Sequence, residues 1–449
     1  MSGLRVAYIP IGVPTFHMES ARQAFDDSLK LLRSLHGEIA APEGPLLSIA
    51  ALGGFLDTVE PDLIVLQNTT FANAAYASEI LRRFPTVPIA LWTLREPVID
   101  GGRLRLNSLT GAYSAANAIR GMGRGPFPFI YGSPTEENTA AELGAVIRAA
   151  ALKKDLSGMT LAQIGHTPEG FGFGRALDLD MLRVFGVRLL SVEARELIDR
   201  AKSYTNAECE AYLADAASRM HGLEATPEPN RRDFARLYKA YDSWVRENGI
   251  GAVASRCWPD FFTAYGTPVC AVLGILNDLG VASSCETDAY GALSMYMARR
   301  LTGTPAFFGD PVSLDEEENT LTFWHCGTAA CSLARIETGA CVGEHCNRHI
   351  GPTLEFGCRP SPRATILRVG RAPDSGTPRL LIAAGEILDK PQQFFGTSLV
   401  VKTDADAETL VRRTVRDGWE PHYAVAYGDI SRELSSLADM LGVPMYDIH

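Results

Sequence analysis

The sequence has no apolar run long enough to cross a bilayer, no low-complexity stretch and no two cysteines in a CxxC spacing. These absences exclude a membrane-spanning helix and the commonest thiolate zinc motif. The first residues lead directly into a strand pattern, so we expect no secretory signal. The chain has 449 residues and 9 cysteines, and this odd number in a long chain predicts reduced thiols and a cytoplasmic protein.

Positive charge is also scarce. The chain has 42 Lys and Arg residues against 53 Asp and Glu residues, which gives a formal net charge of -11. We therefore expect neither a nucleic-acid-binding surface nor an attraction to anionic membranes. A hydrophobic content of 46% and a charged content of 21% are typical of a soluble globular protein. A chain of this length predicts two or three domains.

Strand and helix patterns alternate over most of the chain. Buried-strand runs at residues 4–10, 63–67 and 87–92 are separated by helical patterns that include 21–35 and 74–83. This alternation predicts parallel sheets with right-handed crossovers. A new strand pattern after Asp155 places a domain boundary there, and short β runs dominate after residue 312.

The predicted fold class is therefore α/β, with two Rossmann-like parallel-sheet domains followed by a C-terminal β-rich, barrel-like domain. The predicted domains are residues 1–156, 157–312 and 313–449. The central domain carries two candidate acids, and the C-terminal domain carries a candidate histidine.

Those acids stand in the stretch 281–327, which carries the densest set of candidate functional residues. Glu286 lies where a short apolar strand gives way to a helix at 289–300, and Asp310 follows the apolar run 306–308. Open α/β sheets place ligands at the carboxyl ends of neighbouring strands. His422 begins a strand near the C-terminus. Two carboxylates and one imidazole suit a divalent cation such as manganese or magnesium.

Each of these residue types also has an ordinary structural explanation. Single acids at strand ends are often helix caps or salt-bridge partners, and Asp288 fits a cap alone. His325 fits a hydrogen-bonded loop residue as well as a functional one. Trp92 and Trp258 fit core aromatics, although the polar neighbour Arg256 makes a sugar-stacking wall an alternative.

Two further patterns have bearing on function. The run GFGFG at 170–174 matches neither the dinucleotide fingerprint nor the Walker loop, so it predicts a flexible βα turn. A zinc site is an alternative to packed and loop cysteines in the Cys-rich segment. Its candidate ligands are Cys326, Cys331, Cys341, Cys346, His345 and His349.

Several segments together resemble a known family. They are LWTLREP with the following NSLTG, RCWPDF, SSCETDAYGALSMYMARRLTGTPAFFGDP, FWHCG and HYAVAYGD. In this order they resemble the L-fucose/L-arabinose isomerase superfamily, nearest to its fucose isomerase-like branch. The resemblance implies two α/β domains, a β-rich third domain and assembly into a homo-trimer or homo-hexamer. It also implies a manganese ion, with magnesium or cobalt as alternatives, held by Glu286, Asp310 and His422.

The activity implied by the resemblance is aldose–ketose isomerisation of a small sugar through an ene-diol intermediate. Glu286 and Asp310 would then shuttle protons, and His422 would act only as a ligand. The candidate substrate-binding residues are Trp92, Arg256, Trp258 and His325. The chain departs from the family at Pro421, where relatives often carry His or Asn.

Two alternative functions stay open at this point. One is a metal-dependent enzyme that acts on a modified or anionic sugar, with the acidic group bound by Arg256, Arg348 or Lys402. The other is a non-catalytic sugar-binding protein.

Overall fold

The computed structural model describes residues 3–448, which form two compact units. Unit 1 comprises the residues up to Asp155 together with Arg432–Val443. Unit 2 comprises Leu156–Ser431 together with the residues from Pro444 onward. The predicted boundary at residue 156 falls where unit 2 begins, whereas the division of unit 2 at residue 312 stays a prediction.

Unit 1 is built on a single parallel sheet. Its strands are β1 (Val6–Ile11), β2 (Ile39–Ala40), β3 (Leu63–Asn68), β4 (Ile89–Thr93) and β5 (Phe129–Tyr131). Its helices are α1 (Met18–Leu35), α2 (Ile49–Leu56), α3 (Ala74–Arg83), α4 (Ser108–Gly121) and α5 (Glu137–Ser157). The strand order is β2-β1-β3-β4-β5, and every pairing is parallel. Alternate residues of β1 enter different cores: Val6 and Tyr8 pack with α1 and α5, whereas Ala7 and Ile9 pack with α2, α3 and α4.

Unit 2 begins with a second parallel sheet. Its strands are β6 (Thr160–Ile164), β7 (Arg188–Val192), β8 (Ile250–Ser255) and β9 (Ala282–Ser284). Its helices are α6 (Asp178–Asp180), α7 (Ala194–Ser203), α8 (Glu210–Arg219), α9 (Glu228–Glu247), α10 (Cys270–Asp278) and α11 (Ala289–Thr302). The parallel strand order is β7-β6-β8-β9, which confirms the predicted α/β class.

The rest of the chain is rich in antiparallel strands. They are β10 (Phe307–Asp315), β11 (Thr320–His325), β12 (Cys341–Gly343), β13 (Thr353–Gly357), β14 (Ser361–Arg371), β15 (Pro378–Ile387), β16 (Thr397–Thr403), β17 (Tyr423–Ala426) and β18 (Met445–Asp447). Six of them, β10, β11, β16, β15, β14 and β17, form a closed antiparallel barrel because β15 also pairs with β16. The predicted barrel-like region is thereby confirmed. Two helices accompany it, α12 (Ala407–Arg416) and α13 (Ser431–Leu441), and nearly all of α13 belongs to unit 1.

One strand assignment differs from the sequence analysis. The run before Asp310 was expected to end a strand of the parallel sheet. Instead, β10 pairs antiparallel with β11 and with β17, so Asp310 lies on a barrel strand. A short apolar run does not reveal which sheet it joins, because the pairing depends on strands far away in sequence.

None of the helices in the described part of the chain has the length and hydropathy required to traverse a bilayer.

Candidate functional site

The site begins at the turn between β9 and α11. Asp288 caps α11, since its carboxylate accepts a hydrogen bond from the backbone N–H of Gly291. Just before it, Glu286 and Thr287 have φ values of 58° and 57°. Left-handed backbone costs a residue with a side chain roughly 1–2 kcal/mol, and such strain persists where surrounding contacts hold it. The N–H of Thr287 donates to the carbonyl of Ser255 at 3.1 Å, which fixes this turn.

The barrel supplies the other two predicted ligands from neighbouring strands. Gly309 of β10 pairs with Tyr423 of β17, so Asp310 and His422 stand next to each other at the end of this ladder. The Asp310 side chain is 30% exposed, whereas the His422 side chain is 1% exposed. Asp310 can therefore reach both solvent and the imidazole.

All three predicted ligands meet at one imidazole nitrogen. Nε2 of His422 lies 3.1 Å from Oε2 of Glu286 and 3.5 Å from Oδ1 of Asp310. The Glu286 side chain is 15% exposed. Residues that are far apart in sequence thus form an acidic cluster that is open to solvent on the side of the two carboxylates.

Asp288 contributes more than the predicted helix cap. Nδ1 of His422 donates to Oδ2 of Asp288 at 2.9 Å, and the buried Arg368 of β14 donates to both Asp288 oxygens at 2.6 and 3.1 Å. A carboxylate accepts hydrogen bonds only, so the proton of the neutral imidazole lies on Nδ1. Without a cation, Nε2 also carries a proton, which it donates to Oε2 of Glu286. A bound cation would replace that proton, and the lone pair of Nε2 would then be its ligand.

Opposing electrostatic effects act on this cluster. Burial lowers the pKa of His422, but the hydrogen bonds to Asp288 and Glu286 outweigh burial and raise it to about 10. Burial raises the pKa of Asp288, but the Arg368 charge and His422 hold it well below its usual range. Burial also raises the pKa of Asp310 above its usual value. For Glu286, burial is outweighed by hydrogen bonding to His422, by the charges of His325 and His422 and by the Trp258 side chain, so the pKa is lowered.

The donor set fits a divalent cation. Two carboxylates and a neutral imidazole nitrogen are ligands that manganese binds, and the second imidazole nitrogen is tied to a buried carboxylate, as is usual for metal-binding histidines. His325 adds a fourth potential donor, since ligand atoms of Glu286, His325 and His422 all lie within 4.8 Å of one another. The site can therefore hold a hard cation while leaving its carboxylates accessible.

The GFGFG run lies in the connection between β6 and α6, as its prediction as a βα turn requires, and it is also part of this site. Phe173 presents its ring edge-on to His422 with centroids 5.3 Å apart, and Phe171 lies 6.4 Å from the same imidazole. A Cβ added to Gly174 would lie 2.9 Å from Cα of Asp288. A glycine is therefore required where the two backbones approach, and the motif covers one side of the imidazole.

Three of the four predicted substrate-binding residues lie near the cluster. The half-buried Trp258 contacts Phe171 with ring centroids 6.1 Å apart. Burial raises the pKa of Glu286 and His422 lowers it, and hydrogen bonding to Trp258 lowers this pKa further by a smaller amount. The buried His325 lies 5.8 Å from His422 between ring centroids, and its Nδ1 faces Cys326 and Thr328. Arg256 is bound to Asp260 in an ion pair of 2.7 Å.

Trp92 does not fit its predicted role. Its side chain is 0% exposed in the core of unit 1, and its indole N–H donates to the carbonyl of Gly132 at 2.9 Å. No ring face is left for a sugar. The strand-end position suggested a binding wall, but strand position alone does not distinguish a core indole from an exposed one.

The cysteines do not form the zinc site considered above. All nine thiols are free. Among residues 3–448, the metal-sized groups containing cysteine are Cys270–Cys326–His345 and Cys285–His325–Cys326. Each contains no more than two of the six predicted ligands, because Cys270 and Cys285 come from other elements of the fold.

Comparisons with known proteins extend over the whole chain. Residues 356–449 match the family model for the L-fucose isomerase C-terminal domain. The sulfoquinovose isomerase of Clostridium sp. (strain MSTE9) is 60% identical over 441 residues, which cover 98% of each chain. Sulfoquinovose isomerases of Priestia megaterium (strain ATCC 12872 / QMB1551) and Alkalicoccus urumqiensis are 35% and 34% identical, respectively, with 99% of each chain covered.

Proposed function

The chain belongs to the fucose isomerase-like superfamily, and from this premise we propose that it is a metal-dependent aldose–ketose isomerase that acts on sulfoquinovose. The full-length relatives bear the name sulfoquinovose isomerase, which supports both the reaction class and a sulfonated substrate. The predicted alternative of an anionic sugar agrees with this choice. A homo-oligomeric state and a cytoplasmic location stay predictions.

The observation that carries the proposal is the convergence of Glu286 and Asp310 on Nε2 of His422, at 3.1 and 3.5 Å. An isomerase must remove a proton from carbon and return it to the neighbouring carbon, and it must also move a proton between two oxygens. Two partly exposed carboxylates beside each other supply groups for these transfers. A site for binding alone does not require them in this arrangement.

We propose that Glu286, Asp310 and His422 hold manganese. A divalent cation held there would stabilise the negative charge that develops on O1 and O2 as the ene-diol forms. The chain itself keeps the ligand nitrogen available, because Asp288 holds the imidazole proton on Nδ1 and Arg368 holds Asp288 ionised. His325, whose ligand atom lies within 4.8 Å of those of Glu286 and His422, is a reserve donor or a contact to the sugar.

The remaining steps concern proton transfer by the chain. One of the carboxylates Glu286 and Asp310 removes the proton at C2 and, after exchange with solvent, delivers a proton to C1. The other moves the hydroxyl proton between O2 and O1. Phe171, Phe173 and Phe308 pack around His422, with Phe308 at 4.8 Å between centroids. These rings exclude water from the imidazole, so that solvent reaches the site only from the carboxylate side.

The test is deuterium incorporation in heavy water. Metal-stripped enzyme is incubated with sulfoquinovose, with and without added manganese, and the sugar is followed by NMR. We expect ketose formation and deuterium at C1 or C2 only when manganese is present. Ketose without deuterium would contradict proton transfer by a carboxylate that exchanges with solvent, and turnover that does not depend on metal would contradict the proposed cofactor. Tight manganese binding without conversion of sulfoquinovose would contradict the proposed substrate, and a panel of free aldoses is the control for that result.

A further inference from the structure

We propose that Arg348 forms the sulfonate-binding subsite of this site, held in place by the Trp258 ring. The inference rests on the proposed function, since it names the group that binds the anionic end of the sugar. Three cations are candidates for this role from the sequence: Arg256, Arg348 and Lys402. The structure distinguishes them by their partners and positions.

Arg348 has no carboxylate partner among the described residues, and two aromatic rings hold its guanidinium in position. Its exposed guanidinium forms no ion pair with a carboxylate among residues 3–448. Its Cζ lies 5.1 Å from the ring centroid of Trp258 and 5.1 Å from that of Phe262. A guanidinium that stacks on aromatic rings keeps its edge N–H groups free, and this edge matches a planar pair of anionic oxygens.

Trp258 connects this cation with the proposed proton-transfer groups. Its side chain interacts with the carboxylate of Glu286, and its ring lies 6.1 Å from Phe171, which in turn contacts His422. Arg348 thus stands one indole away from Glu286. In sulfoquinovose the sulfonate is attached to C6, at the opposite end of the carbon chain from C1 and C2. Arg348 is separated from the carboxylate of Glu286 by one aromatic ring. It can therefore bind the sulfonate on C6 while C1 and C2 lie beside the carboxylates.

The surface beside Arg348 also offers space. An open cavity of about 770 Å³ is lined in part by Cys346 and Asn347, which directly precede Arg348. Its wall includes Trp324, the cross-strand partner of Asp310. Pockets for small molecules usually occupy about 300–1,000 Å³. The cavity therefore links the turn that carries Arg348 with the strand pair that carries Asp310.

The competing cations fit less well. Arg256 is neutralised by Asp260 at 2.7 Å. Lys402 pairs with Thr320, at the opposite end of β11 from His325, and five residues of strand correspond to roughly 17 Å. Arg175 follows the GFGFG run, but its Nε–H donates to the hydroxyl of Thr167 at 2.7 Å, and no aromatic ring among residues 3–448 supports its guanidinium.

The experiment compares sulfoquinovose with 6-deoxyglucose, the same sugar without its sulfonate. Arg348→Met removes the charge but preserves the unbranched stem, and Arg348→Lys retains a charge without the planar fork. Lys402→Met is the matched control, because it removes one exposed cation far from the site. Melting temperatures of all variants verify that the exposed substitutions leave the fold intact.

We expect Arg348→Met to lower kcat/KM for sulfoquinovose by roughly 10- to 100-fold, mainly through KM, and to leave 6-deoxyglucose unchanged. The kcat/KM of Arg348→Lys for sulfoquinovose should lie between those of the wild type and Arg348→Met, and the kcat/KM of Lys402→Met should equal that of the wild type. An unchanged KM for sulfoquinovose in Arg348→Met, or a loss of sulfonate preference in Arg175→Met instead, would overturn the subsite. Failure of the wild type to convert sulfoquinovose would contradict the proposed function itself, so the two failures are distinguishable.

Discussion

Asp288→Asn is the most informative single change, because Asp288 serves three groups at once. Asparagine keeps an oxygen that can cap α11, so the helix itself should lose little stability. Arg368 loses its counter-charge, however, and its side chain is 0% exposed. The nearest remaining acid is Glu420, 3.8 Å from Nε of Arg368. His422 loses the acceptor that holds its proton on Nδ1.

The expected magnitude follows from these contacts. Removing one member of a buried ion pair costs about 3–5 kcal/mol. We therefore expect the free energy of unfolding of unit 2 to fall by about that amount and its melting temperature to fall by on the order of 10 °C. Loss of the carboxylate behind a metal-binding histidine should also weaken manganese affinity by about 10- to 100-fold.

The double variant Asp288→Asn/Arg368→Met separates the two effects. Replacing the orphaned guanidinium by an apolar side chain should restore part of the stability, because the unpaired buried cation is removed and Glu420 alone then lacks its cation. Manganese affinity should stay low, because His422 still lacks its acceptor. Thermal unfolding in metal-free buffer and calorimetric titration with manganese measure the two quantities. Purely additive losses of stability in the double variant, or normal manganese affinity in Asp288→Asn, would refute the reasoning.

Three further predictions concern the same site. Glu286→Gln should reduce kcat by about 10²–10⁴-fold with an unchanged circular dichroism spectrum. The control Glu318→Gln, at an exposed position, should leave kcat unchanged. An active Glu286→Gln enzyme would contradict the role of Glu286 in proton transfer. Gly174→Ala should destabilise the protein by about 1–3 kcal/mol and lower activity, because its Cβ would meet Asp288 at 2.9 Å. Gly172→Ala in the same turn meets nothing within 4 Å, and equal effects of both changes on melting temperature would disprove this explanation. Manganese at about 100 times its Kd should stabilise the stripped enzyme by about 2.7 kcal/mol, and an unchanged melting temperature would show that no cation site exists.

Local patterns in the sequence predicted a large part of the fold. Apolar runs gave the positions of the parallel strands, and cap residues such as Asp288 marked where helices begin, since both signals depend on neighbours in sequence. The β-rich C-terminal region was recognisable for the same reason. The strand β10 was assigned to the wrong sheet because strand pairing joins residues that are distant in the chain.

The site was partly predictable. Residue chemistry and the family resemblance pointed to Glu286, Asp310 and His422, and folding brings these three side chains together. No pattern indicated that Phe171 and Phe173 would cover the imidazole or that Arg368 would pair with Asp288. Trp92 and Trp258 looked equivalent at their strand ends, yet one is a core residue and the other contacts the site.

The sequence by itself therefore determined the types of secondary structure, the β-rich character of the C-terminal region and the candidate ligands, because propensity, capping and donor chemistry belong to short segments. Tertiary structure decided which candidates meet, which cation stays unpaired and which aromatic ring is exposed. Those properties arise when the barrel closes and when its strands pack beside the turn before α11. They depend on distances between segments that are far apart in the chain, such as those of Asp288 and His422, which are separated by 134 positions.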